Sequence, residues 1–438
     1  MIESEQKNAQ LKDHPLRYEL ANELHARPFP TLTAPSYVVF LAIKRPISAA
    51  SRDKGADMAH LVELLDLHGA VHPSPQATHY FGVVGLHRLK WESHNEFVTY
   101  TFFCKGLMPR PFDPSAFEVF PDDWMAKIPG CRVTSALIHV DHMSEKTIIK
   151  HQLRDWFVAE SLAVSEIFDR SALMAGDFRI DEAGHIRFAV FVDSEVGERR
   201  IGRIVQRLCE VETYKSMSML GFASTRHLMS HLAKVDSNLS KLVEQMASDI
   251  CEADVTLHAL MPISTELENL MSQTSYRFGA TKAYETIVNQ RIESLRELRF
   301  EGRQTFAEFM LRRFDPAMRT VKATEHQLNS IAKRALTAGE LLRTRVDVDR
   351  SAQNHRLLES MERRVGLQLQ LQKMVEGFSV IAISYYSISL VANMIWPIAQ
   401  FMDIDKKLMV AAITPIVVLT VWLVIRRFRK SLADKDQG

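Results

Sequence analysis

The sequence predicts an α+β domain, then a long α-helical bundle or stalk, then a two-helix transmembrane hairpin at the C-terminus. Three observations carry this prediction. Strand-like runs are confined to residues 1–195, helical periodicity dominates residues 196–376, and two uncharged apolar stretches, Gly377–Trp396 and Leu408–Ile425, lie near the end of the chain. The expected boundaries are therefore 1–195, 196–376, a hairpin over 377–425 with spans 377–396 and 408–425, and a basic tail over 426–438.

Within the first region, runs rich in β-branched and aromatic residues predict strands at Ser36–Ile43, His79–Leu86, Glu96–Cys104, Val133–Val140, Phe178–Asp181 and His185–Val192. The last two flank Glu182-Ala183-Gly184, a hairpin signal, so the sheet is expected to be mainly antiparallel. Helical patterns interleave at Pro15–Ala26, Met58–His68 and Ile148–Phe168. In the second region, apolar residues at three- and four-residue spacing predict helices over Ile201–Leu220, Thr225–Ser248, Thr265–Leu270, Ala280–Phe314 and Ala317–Glu376, with breaks at Pro262 and Pro316. The last of these would extend on the order of 90 Å if unbroken, and Gly366 and Gly377 are its candidate hinges. It leads directly into the first apolar stretch, which favours a stalk that bundles with copies of itself.

Each apolar stretch has about the 17 to 25 residues needed to cross a bilayer as a helix. Arg363, Arg364 and Lys373 precede the first, and Arg426, Arg427, Arg429 and Lys430 follow the second. The connecting Pro397–Lys407 balances Lys406 and Lys407 against Asp403 and Asp405. The positive-inside rule then places both termini in the cytoplasm of a bacterial inner membrane. The opening MIESEQKNAQLKDHP has no basic n-region followed by an apolar run, so no cleavable signal is expected. Cys104, Cys131, Cys209 and Cys251 are widely spaced and suit a reducing compartment. A net charge of +1 gives no reason to expect a nucleic-acid partner.

The stretches HPLRYELANELHARPFP at 14–30, LKWESHNEFVTYTFF at 89–103 and LQLQKMVEGFSVIAISYYSISL at 369–390 resemble a bacterial family of membrane-anchored proteins built on a domain of unknown function. The resemblance spans essentially the whole chain. It implies a membrane protein with a cytoplasmic body and carries over no catalytic residue. The order of parts is also similar to the CorA-type divalent cation transporters, which implies a homo-oligomeric cation conduit. Their Gly-Met-Asn signature is absent, and the nearest sequence is Ala392-Asn393-Met394.

Several residues are candidates for function. Gln368, Gln372, Ser379, Ala382, Tyr386, Ser389 and Asn393 share one helical face, and hydrocarbon cannot satisfy such a stripe. It either lines a pore or packs against another helix. Asp403 and Asp405 either concentrate cations at a mouth or cap a hairpin turn. Strand alternation puts Glu92, His94 and Glu96 on one face, and His139 with Asp141 on another strand. Were the two strands neighbours, two imidazoles and three carboxylates would converge as a site for a divalent cation or an acid–base pair; otherwise they are the wet face of a sheet. His14, Glu19, Glu23, His25 and Arg27 form a second cluster, read as a ligand site or a solvated helix face. Twelve of the seventeen histidines precede residue 200, without an H-E-x-x-H pattern. Arg199, Arg200, Arg203 and Arg207 either face lipid headgroups or are balanced by Glu198, Glu210 and Glu212. No phosphate loop or G-x-S-x-G elbow is present, so NTPase and serine hydrolase chemistry are not expected.

Two functions follow as expectations. One is an oligomeric cation conduit in the lipid bilayer, self-associating through stalk and membrane helices and gated by its cytoplasmic domain. The other is a non-conducting anchored sensor or scaffold whose domain binds a small ligand or partner protein.

Overall fold

The computed structural model describes residues 13–18, 20–21, 29–46, 53–247, 252–401 and 405–433. Glu19, Glu23, His25, Arg27, Cys251 and Asp403 lie outside the described residues. The chain divides into two units, one of Met1–Cys251 with His258–Ala338, the other of Glu252–Leu257 with Gly339–Gly438.

The first unit is built on a nine-stranded sheet. Its strands are β1 (Ser36–Lys44), β2 (His79–Val84), β3 (His87–Ser93), β4 (Phe97–Lys105), β5 (Cys131–His142), β6 (Ala163–Ile167), β7 (Ala172–Ile180), β8 (Ile186–Val192) and β9 (Leu298–Arg299), in the order β2-β3-β4-β1-β5-β8-β7-β6-β9. Every pairing is antiparallel except β5 with β8. Three short helices, α1 (Lys54–Leu67), α2 (Asp122–Ala126) and α3 (Lys146–Trp156), are followed by two long ones, α4 (Glu198–Ala247) and α5 (Ala253–Glu293). Next come α6 (Phe306–Arg313), α7 (Asp315–Phe401) and α8 (Lys406–Ala433).

Because successive strand residues point to opposite faces, the register sorts the sheet into two layers. Val39, Leu41, Trp91, Tyr100, Phe102, Leu137 and Phe191 turn to one face and join Leu61, Leu65, Trp124, Ile149 and Leu153 of α1–α3 in the main core. His60 of α1 fits there because both ring nitrogens are used, Nδ1 with the Tyr100 hydroxyl at 3.0 Å and Nε2 with the Trp124 carbonyl at 3.2 Å. The opposite face carries Val38, Phe40, Phe103, Ile138 and Phe188 together with Lys90, Thr99 and Thr101, all buried. Helix α4 packs on β5 and β8.

The two longest helices of the first unit are longer than the sequence pattern suggests. Helix α4 runs for 50 residues without the expected interruption near Gly221. That glycine serves packing: a Cβ there would lie 2.0 Å from the Thr281 hydroxyl of α5, so only hydrogen lets the helices approach. Pro262 lies inside α5, where Leu260 and Leu267 on either side are buried and hold the helix through the missing hydrogen bond. Two predicted helices are shorter than expected. Ile148–Phe168 is helical only to Trp156, because Ala163–Ile167 instead pairs with β7. Ala280–Phe314 is split by β9 and restarts at α6, where Thr305 and Glu308 form a capping box.

In the second unit, α7 is continuous through Gly366 and Gly377. Among the described residues, two helical segments, one within α7 and one within α8, are long and apolar enough to cross a membrane. Only 11% and 6% of their apolar windows are buried within the chain, so neither is a core helix of the single chain.

Candidate functional site

The segment Trp91–Phe97 is a tight hairpin instead of one strand. The His94 backbone N–H donates to the Phe97 carbonyl at 2.9 Å and reverses the chain between β3 and β4. Alternation therefore fails across His94, and the three candidates separate. Glu96 is fully buried: its carboxylate accepts a two-pronged pair from Arg277 at 2.6 and 3.3 Å and a hydrogen bond from the Tyr284 hydroxyl at 3.0 Å, with Lys44 at 3.9 Å. It ties the hairpin to α5. Burial and the neighbouring Arg277 lower the Lys44 pKa, opposed by Glu96, while burial and Glu96 raise that of Tyr284. Such a carboxylate is saturated and structural.

Glu92 and His94 line a cavity of about 310 Å³ between the sheet and the α4 and α5 helices. Its floor is a polar tile made by strand pairing, Lys90 opposite Thr101 and Glu92 opposite Thr99. Across from it stand Gln206, Arg207, Glu210, Thr213 and Tyr214, which helical spacing brings to one side of α4, with Arg291 from α5. The Lys90 ammonium lies 3.1 Å from the Glu92 carboxylate and donates to Gln206 at 3.2 Å, and Gln206 donates to Glu210 at 2.8 Å. Arg291 completes the chain as an ion pair with Glu210. His94 stacks on Phe97 with ring centroids 4.3 Å apart and meets the edge of Tyr214. Arg207 donates to the Ser294 carbonyl at 3.1 Å; burial, with Arg203 and Arg291 nearby, lowers its pKa. Phe29 and Pro30 close one side. Gly202 permits that approach, since a Cβ would sit 1.7 Å from the Pro30 carbonyl oxygen.

His139 and Asp141 are elsewhere. Strands β3 and β5 are separated by β4 and β1, and His139 lies on the other face of the sheet among Phe112, Trp156 and Phe191. Its ring is 3.8 Å from Asp141, and burial lowers its pKa despite that carboxylate. The five-residue convergence that neighbouring strands would have produced is thus corrected: Glu92 and His94 reach one cavity, and Glu96, His139 and Asp141 do not. Among the described residues no group of three or more His, Cys, Asp or Glu side chains is arranged to hold a metal ion. The row of arginines on α4 divides as well. Arg207 reaches the cavity and Glu210 sits in its network, whereas Glu212 accepts hydrogen bonds from Thr134 and Ser216 and pairs with Lys215.

The second candidate region is the α7–α8 helix pair. Ala392 and Trp396 of α7 pack on Met409, Val410 and Ile413 of α8. Ser379, Tyr386, Ser389 and Asn393 are all exposed, and helical spacing sets them roughly 60 to 140° around α7 from Ala392. The Ser379 hydroxyl donates to the Val375 carbonyl at 2.8 Å. The exposed stripe extends backwards at strict three- and four-residue spacing through Ala382, Val375, Gln372, Gln368, Val365, Met361 and Leu358, every one exposed. Asp405 starts α8, its carboxylate accepting the Lys407 N–H at 3.3 Å and its carbonyl the Leu408 N–H at 3.0 Å, which is the geometry of a helix cap. Lys406 lies over Trp396 and Arg426 over Trp422, at 5.2 and 5.0 Å from the ring centroids.

Sequence reasoning missed Lys90, Gln206, Arg291 and the two threonines of the cavity. Lys90, Thr99 and Thr101 did carry a signal, since polar residues recur at alternate positions in strands otherwise filled with Trp, Tyr and Phe. Gln206 and Arg291 carried none, because their meeting depends on how two long helices cross the sheet.

Neither a curated protein nor a solved structure matches the chain. A family model described as "Protein of unknown function (DUF3422)" matches residues 12–432. With nearly its whole length covered, the chain belongs to the DUF3422 family.

Proposed function

We propose that this protein is a membrane-anchored homo-oligomer whose first apolar helix lines a polar axis that conducts small cations, with α8 on the lipid side and the sheet-bearing unit in the cytoplasm of a bacterial inner membrane. One observation carries the reading: the stripe from Leu358 to Asn393 repeats every three and four residues and is exposed throughout. A repeat of 3.5 residues is the pattern by which parallel helices bundle. Copies anchored in one membrane share an orientation, so identical seams meet in register, Leu358 on Leu358 and Gln368 on Gln368. Within the apolar span the seam offers Tyr386, Ser389 and Asn393, groups that lipid cannot satisfy and that copies or water can. The absent Gly-Met-Asn signature means that the proposal does not borrow the ion selectivity of the CorA-type transporters.

The test is the mass of the full chain in nanodiscs, followed by cation flux in liposomes. A closed ring of four or more subunits that conducts, and loses flux in Asn393→Leu, is the expected result. A monomer, or a ring that is silent, overturns conduction. The cavity of the first unit supports a second reading, an anchored module that binds a small ligand, which the same silent outcome would favour.

A further inference from the structure

The cavity between β3, β4, α4 and α5 is lined in a way that core packing alone does not require. Lys90, Thr99 and Thr101 are at most 6% exposed, on a sheet face whose neighbours are Phe40 and Phe103. A buried polar cluster of this kind is worth no more to stability than apolar side chains of the same volume. Thr99 and Thr101 line the cavity from β4. Charge is unbalanced too. Three cations, Lys90, Arg207 and Arg291, face two carboxylates, Glu92 and Glu210. Lys90 pairs with Glu92 and Arg291 with Glu210, while Arg207 donates to the neutral Ser294 carbonyl, lies over the Phe168 ring at 5.6 Å and shares the Glu210 carboxylate's field with Arg291.

We propose that this cavity binds a small organic anion bearing one carboxylate or phosphate group. The Arg207 guanidinium holds the charge, the Thr99 and Thr101 hydroxyls donate to its oxygens, and Phe40, Phe97 and Phe103 cover its apolar part. One surplus cation faces the anionic head group, and a cation would meet carboxylates that are already paired. About 310 Å³ suits a metabolite-sized molecule and is too small for a peptide helix. The inference concerns the first unit alone and holds whether or not the hairpin conducts.

The experiment is a thermal-shift titration of the full-length protein in nanodiscs with three probes: inorganic phosphate, benzoate, and benzylammonium as a cation of the same shape as benzoate. Each is taken to about 10 mM, which reaches even a millimolar site. A rise in Tm with benzoate or phosphate but not with benzylammonium is expected, and the stronger of the two anions assigns the head group. The rise should vanish in Arg207→Gln and persist in Arg363→Gln, which removes an exposed arginine of α7. Thr101→Val keeps shape and charge and should weaken the anion response several-fold. It serves as the deciding variant if Arg207→Gln fails to fold. No response to either anion, an equal response to benzylammonium, or a response unchanged in the Arg207→Gln and Thr101→Val variants overturns the proposal. Flux through the hairpin is read in a separate assay, so failure of this site and failure of the conduit are told apart.

Discussion

The sheet-bearing unit and the α7–α8 pair solve the problem of buried polar groups in opposite ways. In the first, Glu96 has Arg277, Tyr284 and Lys44, and Glu297 accepts from Ser165 and from the Phe306 and Ala307 backbone at the start of α6, all within one chain. In the second, Gln368, Gln372, Tyr386, Ser389 and Asn393 are exposed, and Leu358, Met361 and Val365 are about 60% exposed. The first unit thus meets these buried carboxylates with donors of its own chain. In the proposed oligomer, copies of α7 cover this open seam, since an isolated helix in water is marginal.

The comparison breaks most completely at the seam. Leu358→Lys with Val365→Lys places like charges at two layers one heptad apart, on either side of Met361, in the proposed parallel bundle, where apolar knobs should interlock. The expected outcome is dissociation to monomers by native mass measurement, with the melting of the sheet-bearing unit unchanged. Oligomers that survive the double substitution would show that contact is made through another face.

The converse test acts on the first unit. Glu96→Gln leaves Arg277 and Lys44 buried without a counter-charge and should cost about 3 to 5 kcal/mol of unfolding free energy in denaturant titration. The assembly state of the folded fraction should not change. A cost under about 1 kcal/mol would mean that water reaches this cluster and that the ion pair behaves as a surface one.

A smaller effect is written in pH. His185 is buried, stacks on Phe117 at 3.7 Å and has its Nδ1 2.9 Å from the Ser135 hydroxyl. Burial, with Arg132 adding to it, pushes its pKa down from 6.5 to about 4. The unfolded chain therefore takes up a proton that the folded chain refuses. The histidine costs nothing above about pH 6.5, and stability falls as pH drops from there towards 4, by about 2 to 3 kcal/mol at most. His185→Asn should flatten that part of the stability profile in the sheet-bearing unit. A profile as steep as that of the unsubstituted protein would move the acid response to other groups, such as His60, His87 and His139, whose pKa burial also lowers.

How legible each unit was in the sequence follows from the same contrast. The two membrane-length helices are local properties, readable directly from the apolar runs Gly377–Trp396 and Leu408–Ile425. The strands richest in β-branched and aromatic residues, such as Val38–Ile43 and Phe97–Cys104, were readable for the same reason. The hairpin at His94 was not: Ser93-His94-Asn95-Glu96 lacks the glycine that usually marks a reversal, and alternation seemed to continue through it. Ala163–Ile167 is a short apolar run that becomes a strand only because β7 stands beside it. The cavity was least legible, since its charges come from β3, α4 and α5, and nothing local in Gln206 or Arg291 tells that they meet.

The smallest expected effect sharpens what counts as a closed polar ledger. Arg334, in the α7 segment of the first unit, donates to Asp236 of α4 at 2.6 Å and to the Ser240 hydroxyl at 3.0 Å. The geometry is as good as that of Glu96 with Arg277, but both partners remain more than a third exposed. Water already solvates each charge, so little desolvation is recovered when they pair, and salt screens what remains. Asp236→Asn should therefore change unfolding free energy by no more than about 0.5 kcal/mol, and raising the salt should erase even that. A loss comparable to that of Glu96→Gln would mean that this contact is what clamps the first turns of α7 to α4. The difference between the two carboxylates would then lie in the helix each one holds, and not in its burial.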